Sequence, residues 1–430
     1  MSILSRATFS GGAHVPDMKA MSSGKAIETL PAPERAYISL SQHVGKPAIP
    51  IVSEGEKVLR GQLIAKADGA VSANIYSSVS GVVEEIKPIS NHLGRHTYIV
   101  IKNDFLDETV WLEPIDDTDG NAIAERVKEA GLVGLGGAGF PSFIKLKPKE
   151  PIDILLINSA ECEPYLTCDY RVLVEHTEQF VVGARYLSKA LGGAKIYVGV
   201  EENKPDVIKT LGEYDDFFVV PLKKKYPQGS EKQLIYACTG RKVGLGKLPS
   251  TTGVVVMNVQ TTKAVFDAVK LNKPLYERVM TVTGGGIVEP KNILVRIGTP
   301  YHSVLEYCGG LKPTARKAVS GGPMMGRVLA GLNGFVRKTD SGLLLLDDKE
   351  ANQAEPTACI NCGRCAAACP MRLMPMYMDL FTHEQKYERA AEYGVMNCFE
   401  CGTCAYVCPA KRDLVGSIQI CKKKLREMKG

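Results

Sequence analysis

Eight of the thirteen cysteines fall into two runs of identical spacing. Cys359-x2-Cys362-x2-Cys365-x3-Cys369 is followed by Pro370, and Cys398-x2-Cys401-x2-Cys404-x3-Cys408 by Pro409. Two residues between thiols let successive ligands converge from one tight loop onto neighbouring iron atoms. In two-cluster ferredoxins the fourth cysteine of each run ligates the other cluster. The spacing therefore assigns Cys359, Cys362, Cys365 and Cys408 to one [4Fe–4S] cluster, and Cys398, Cys401, Cys404 and Cys369 to the other. Structural zinc takes two close ligand pairs and has no need of a third cysteine and a terminal Cys-Pro. Leu373–Tyr393, between the runs, reads as helix, which favours an α-helical ferredoxin fold over a compact βαβ one. Cys162, Cys168, Cys238, Cys308 and Cys421 lack ligand spacing and read as ordinary thiols.

The whole sequence of 430 residues has room for two to four domains, at roughly 100–200 residues each. The net charge of +6 is small for that length and forms no concentrated basic stripe, which argues against nucleic acid. Lys223–Lys225 and Lys422–Lys424 read as solvated surface, with docking of an acidic redox partner as the role to consider. No run approaches the roughly 18 apolar residues that span a bilayer. Met1–Ser10 lacks the apolar region of a signal peptide, so the expectation is a reducing cytosol, where cysteines serve as metal ligands before disulfides.

From about residue 31 to 103, short strands alternate with glycine and proline turns, in two similar halves around Val52–Ile64 and Val79–Ile86. The pattern resembles the barrel-sandwich hybrid of biotinyl and lipoyl carriers. Their Met-Lys-Met and Asp-Lys-Ala tripeptides are missing, and Lys66 is in the wrong context, so the module reads as structural. Beyond Asn121, helices and strands alternate: helix at about 121–130, strand 152–158, one long helix from about Asp169 to Leu191, strand 194–200, helix 204–211, strand 217–221. Such alternation implies an α/β domain with a largely parallel sheet covered on both faces. Past about 275 short β-like pieces return, and Asp347–Pro356 reads as a polar linker. The expected division is 1–115, 116–275, 276–346 and 347–430.

Two loops in the α/β part carry candidate chemistry. Gly131-x2-Gly134-x-Gly136-Gly137-Ala-Gly139-Phe140-Pro141 is dense in glycine, which lets a backbone approach a phosphate and aim N–H groups at it. The loop follows a helix and not a strand, so it fails the context test for the usual dinucleotide fingerprint, and a tight structural turn is the other reading. Lys145 would add a point charge. Asn158-x2-Glu161-Cys162-Glu163-Pro164 lies just past a strand, where open α/β sheets bind ligands; solvated acids at a helix cap are the alternative. A nucleotide-type loop in a chain with clusters calls for a converter between two-electron and one-electron chemistry, and flavin is the usual one.

These residues, with an opening Gly11-Gly12-x-His14-x-Pro16, are similar to the RnfC/RsxC family of the Rnf complex and, more distantly, to the flavin- and NADH-binding subunit of respiratory complex I. The resemblance covers essentially the whole chain. It implies a multidomain α/β protein with an N-terminal barrel-sandwich hybrid, a Rossmann-like FMN/NADH domain, an SLBB-like β module near 278–326 and an α-helical two-cluster ferredoxin domain. It implies noncovalent FMN at Gly134, Gly136, Gly137 and Gly139, with Lys145, Asn158 and Glu161 on the flavin and Phe140 and Glu163 on NAD(H). Tyr226–Glu231 and Asn258 match more weakly, as further lining of the flavin pocket. Leu135 stands where the complex I loop has arginine, and Ala160 where it has aspartate.

The partners implied are the membrane subunits of that complex, a cluster-bearing subunit, NADH and, indirectly, ferredoxin, at the cytoplasmic side of the membrane. Hydride transfer depends on stacking and orientation, so no catalytic proton-transfer residue is assigned. A soluble flavin–cluster reductase similar to cobalamin reductase, or a non-catalytic iron–sulfur wire, are the alternative readings.

Overall fold

A computed structural model describes residues 7–91, 94–351 and 354–428. Met1–Arg6 and residues 352 and 353 of the expected linker lie outside them. Two small sheets face each other near the start of the chain. One joins Arg35–Ser39, Gly94–Asn103, Gly81–Asn91 and Lys57–Val58; the other joins Ile49–Pro50, Leu63–Lys66 and Ile75–Tyr76. Period-two alternation sends Ile38, Val58, Ile64, Ile75, Val83 and Ile99 inward, all fully buried. Lys66 ends a strand opposite Ile49 and is exposed, so it does not sit at a hairpin apex.

The α/β domain runs α1 (Gly120–Glu129), α2 (Ser142–Leu146), β1 (Ile154–Ser159), α3 (Cys168–Glu175), α4 (Thr177–Ala190), β2 (Lys195–Glu201), α5 (Pro205–Leu211), β3 (Phe217–Leu222), α6 (Glu231–Thr239), β4 (Val254–Asn258) and α7 (Val259–Lys270). The sheet order is β3-β2-β1-β4, all parallel. Leu155 and Ile157 of β1 pack with α1, α4 and α7, while Ile154 and Leu156 pack on the other face with Leu234 and Ile235 of α6. The strand order reverses between β1 and β4, and ligands of such sheets bind outside the carboxyl ends at that reversal.

The single helix expected over Asp169–Leu191 is two. His176 leaves helical geometry (φ −129°, ψ 36°), which frees each piece to follow a different partner. α3 packs against the strand Glu277–Thr283, and α4 packs against α7. At that second contact a β-carbon on Gly183 would come within 2.1 Å of the Thr262 carbonyl oxygen.

The β module is a six-stranded sheet, ordered Ile27–Thr29, Lys291–Arg296, Glu277–Thr283, Gly342–Asp347, Ala315–Ser320 and Arg327–Val328. Its first strand comes from the start of the chain and pairs in parallel with Lys291–Arg296. Residues 7–30 therefore lie against the other modules, Ala7 bridging Leu222 and Ala13 bridging Tyr226, although the expected boundary put 1–115 in the barrel. A three-residue strand carries no signal of which sheet it joins. Part of the expected linker is also tied down: Glu350 accepts from the Gly285 N–H (2.7 Å) and the Tyr165 hydroxyl (3.1 Å).

The last domain is helical, with Pro375–His383, Tyr387–Glu392 and Leu414–Glu427 packed around Met378, Phe381, Val395, Ile418 and Cys421. The lysine runs are not wholly solvated surface. Lys422 is buried, its amine donating to the Cys398 carbonyl and to Glu400, and Lys225 donates to the Phe9 carbonyl at 2.7 Å. Long aliphatic stems let such lysines cross apolar surface to reach an acceptor.

Candidate functional site

Helix α1, capped by Asp119, delivers the chain to a loop closed by a bridge between Val133 and Pro141 and by the Gly134 N–H on the Phe140 carbonyl (2.9 Å). Leu135 N–H donates to Thr261 Oγ1 at the start of α7 (3.0 Å), so the loop base is fixed. Gly136, Gly137 and Ala138 form an exposed tip whose N–H groups find no acceptor among the described residues. Gly136 is required by packing, since a β-carbon there would lie 2.4 Å from Asn258 Nδ2. Gly139 adopts φ +74° against Thr339. A β-carbon on Gly137 would meet nothing within 4 Å, so its backbone borders open space. Unpaired N–H groups over an open cradle fit an anionic group such as a phosphate.

Asn158 and Asn258 are register partners at the carboxyl ends of β1 and β4, at the reversal of strand order. Asn158 Nδ2 donates to the Gly229 carbonyl (2.7 Å), holding the loop between β3 and α6 over the strand ends. Asn258 caps α7 through its side-chain oxygen, while its amide nitrogen donates to Asp169 (2.7 Å). Lys145, on α2, bonds Glu231 (2.8 Å) and the Val256 carbonyl (3.0 Å). The fold thus gathers the glycine loop, Lys145, Asn158, Glu231 and Asn258 at one edge of the sheet. Phe140 is half-buried beside it.

Glu161 and Glu163 turn inward instead. Glu161, in left-handed backbone (φ 44°), accepts the Asp169 N–H at the start of α3 (2.7 Å), with Lys19 3.7 Å from its other oxygen. Glu163 accepts the N–H groups of Met324 (3.2 Å) and Met325 (2.7 Å) in the β module. Burial pushes both carboxyls up to about 7, against the pull of Lys19. One oxygen of each has no hydrogen-bond partner among the described residues.

The buried surroundings of these acids were invisible in the sequence. Lys19 donates to the carbonyls of Glu163 and Leu166, and Lys204 to that of Ala160 (2.7 Å). Cys162 accepts the Gly229 N–H (3.2 Å), and burial pushes its thiol up to about 12, which makes it an inert thiol at neutral pH. Gln228, fully buried, has neither side-chain polar atom partnered among the described residues. An orphaned buried amide is costly, and this one lies in the loop that Asn158 holds over the strand ends.

The cysteines surround two cavities. One is lined by Cys369, Cys398, Cys401 and Cys404; the other by Cys359, Cys362, Cys365 and Cys408. Each run sends its fourth cysteine to the other's three. Gly363 and Gly402, at φ +69° and +80°, make the turns that bring the third cysteine round. Four sulfurs about one recess fit a [4Fe–4S] cluster. The two recesses differ in setting. Cys369, Cys401 and Cys404 are buried, whereas Cys359 and Cys362 are exposed. The buried one abuts the α/β domain: Tyr226 donates its hydroxyl to the Cys401 carbonyl (2.6 Å), and Gln233 donates to that of Pro370 (3.3 Å).

Comparison with known proteins matches every module. Residues 7–106 match the RnfC barrel sandwich hybrid domain, 127–267 the Nuo51 FMN-binding domain, 279–328 the SLBB domain and 358–411 a 4Fe-4S dicluster domain. The chain is 45% identical to the C component of the proton-translocating ferredoxin:NAD(+) oxidoreductase complex of Clostridium ljungdahlii, over 96% of this chain and 93% of that protein. It is 40% identical to the C component of the Na(+)-translocating ferredoxin:NAD(+) oxidoreductase complex of Acetobacterium woodii, over 97% of both. Among solved structures, an NAD+-reducing [NiFe]-hydrogenase in the H2-reduced state shares the fold, with TM-score 0.52 and 19% identity over 70% of this chain and 63% of that one.

Proposed function

The chain belongs to the RnfC family, the C components of ion-translocating ferredoxin:NAD+ oxidoreductases, and from that premise we propose that it is the member of the complex that handles NAD(H). When bound, FMN exchanges a hydride with NAD(H) and single electrons with [4Fe–4S] clusters. The N–H groups of Gly136, Gly137 and Ala138 would hold the flavin phosphate, with Lys145 nearby kept in place by Glu231. Asn158 and Asn258 would line the flavin site from the strand ends, and Glu161 fixes the start of α3. Phe140 is proposed to border the nicotinamide nucleotide, with Glu163 acting at one remove by anchoring the loop at 324–325.

The single observation carrying this reading is that one loop, Tyr226–Glu231, both lines the switch-point site and touches the buried four-cysteine recess. The other recess faces outward, where Cys359, Cys362 and Ile360 (64% exposed) offer partner proteins a contact. On this reading ion movement belongs to those partners, with this chain peripheral on the cytoplasmic side and ferredoxin reached through them; among the described residues no helix is long and apolar enough to cross a membrane.

The test is anaerobic. The purified chain is supplied with FMN, its visible and EPR spectra are recorded, and NADH is added. Flavin bleaching followed by cluster EPR signals is expected. Clusters with no FMN retained and no response to NADH would overturn the reading for this chain.

A further inference from the structure

We propose that the N-terminal arm Phe9–Ala13 is the spacer that seats the Cys369/Cys398/Cys401/Cys404 recess against the α/β domain, with Gly11 and Gly12 as positioning residues for electron passage between them. This deepens the reading above and rests on it. The arm runs between the two domains and bonds to both. The Gly12 N–H donates to the Ala368 carbonyl (2.7 Å) on the cysteine side. On the other side Ala13 and Tyr226 exchange backbone bonds of 2.8 and 2.9 Å. Lys225 holds the Phe9 carbonyl (2.7 Å) and lies 4.5 Å from the centre of its ring, and Arg372 donates to the Ser10 hydroxyl.

The glycines are demanded twice over. Both occupy left-handed backbone, Gly11 at φ +84° and Gly12 at φ +81°, where other residues are strained. A β-carbon on Gly11 would sit 2.8 Å from the carbonyl oxygen of Cys369, itself a lining cysteine, and one on Gly12 would sit 2.6 Å from the Tyr226 carbonyl oxygen. At Gly11 and Gly12 the arm is bare backbone, the thinnest spacer a polypeptide offers. Any side chain at either position must wedge them apart. The same approach brings the Tyr226 hydroxyl to the Cys401 carbonyl and Gln233 to Pro370, so the arm's thickness and the domain contact are set together.

The experiment uses the holoprotein with FMN and both clusters, under anaerobic conditions. In Gly12→Ala, iron and FMN contents and the rate of flavin bleaching by NADH are expected to match the parent. The cluster EPR signal should then rise several-fold more slowly. Independently of activity, amide deuterium exchange should speed up in segments 9–13 and 366–372. Gly24→Ala, where a β-carbon meets nothing within 4 Å, is the control expected to change neither. Should Gly12→Ala fail to fold, Lys225→Met, which releases Phe9, is read by the same two measurements and should slow cluster reduction several-fold. Parental exchange together with a parental rate of cluster reduction would overturn the proposal. If the parent itself bleaches no flavin, the function reading falls, and unchanged exchange in the variants would still refute the spacer separately.

Discussion

Glu163 sits where water cannot solvate its carboxylate, with two backbone N–H groups on one oxygen and none on the other. Burial raises its carboxyl to about 7 in the folded state. As pH climbs from the ordinary carboxyl range towards 7, the unfolded chain releases a proton that the folded chain keeps, so this group's contribution to stability declines across that window. Glu163→Gln removes the ionisation while keeping an acceptor for Met324 and Met325. Its apparent melting temperature should gain on the parent at pH 8 compared with pH 5, and an equal difference at both would count against the burial argument. Asn258 has a different role, capping α7 with one atom and tying Asp169 with the other. Asn258→Ala should lower stability by about 1 kcal/mol from the cap alone, read by denaturant unfolding, and FMN retention should fall with it.

Helix α4 crosses α7 so closely that Gly183 has no room for a methyl group. Gly183→Ala should cost about 1–3 kcal/mol by overpacking, despite alanine's better helix propensity, and thermal unfolding would show it. The cysteine runs make a sharper prediction. Because Cys369 lines the recess of the second run, Cys369→Ser should remove the cluster of Cys398, Cys401 and Cys404 and spare the one whose sequence run it belongs to. Cys408→Ser should do the reverse, each variant keeping about half the iron, with one of two EPR signals lost. The two runs stood out because ligand spacing is chemistry written locally, while the crossing of the fourth cysteines was expected from two-cluster ferredoxins. The strands 154–159, 195–201 and 217–222 were legible for a similar reason, since apolar runs bounded by turns are local too. What stayed hidden was decided at long range. Nothing near Lys19 says that its amine ends on carbonyls about 145 residues away, and nothing near Glu161 says that its backbone turns it inward. The break at His176 belongs to the same class, imposed by two partners that pull a continuous pattern in different directions.

Three modules meet at Lys338. Its buried amine donates to Asn74 of the barrel and Gly131 of the α/β domain, both at 2.8 Å, and its N–H to Gln42 at 2.9 Å. Beside it, Val44 of the barrel donates to the Gly139 carbonyl (3.3 Å), so the barrel braces the glycine loop. Burial pushes the Lys338 amine down to about 7. Between that value and the ordinary lysine range the unfolded chain holds a proton the folded chain has given up, so stability from this group rises with pH there, and below 7 the buried charge exacts its full cost. Lys338→Met should therefore compare better with the parent at pH 6 than at pH 9, in apparent melting temperature, while FMN retention falls at both as the glycine loop loosens.

The strand Ile27–Thr29 has a consequence for how the molecule is made. Ile27 pairs with Asn292, which leaves the ribosome only long after it. At about 5–20 residues per second, the early strand waits roughly a quarter of a minute to a minute for its neighbour. The barrel, whose strands lie within residues 35–103, can close in that interval. The strand Ile27–Thr29 has no sheet partner in that interval. The joining of this sheet thus waits on a strand translated well before its neighbour.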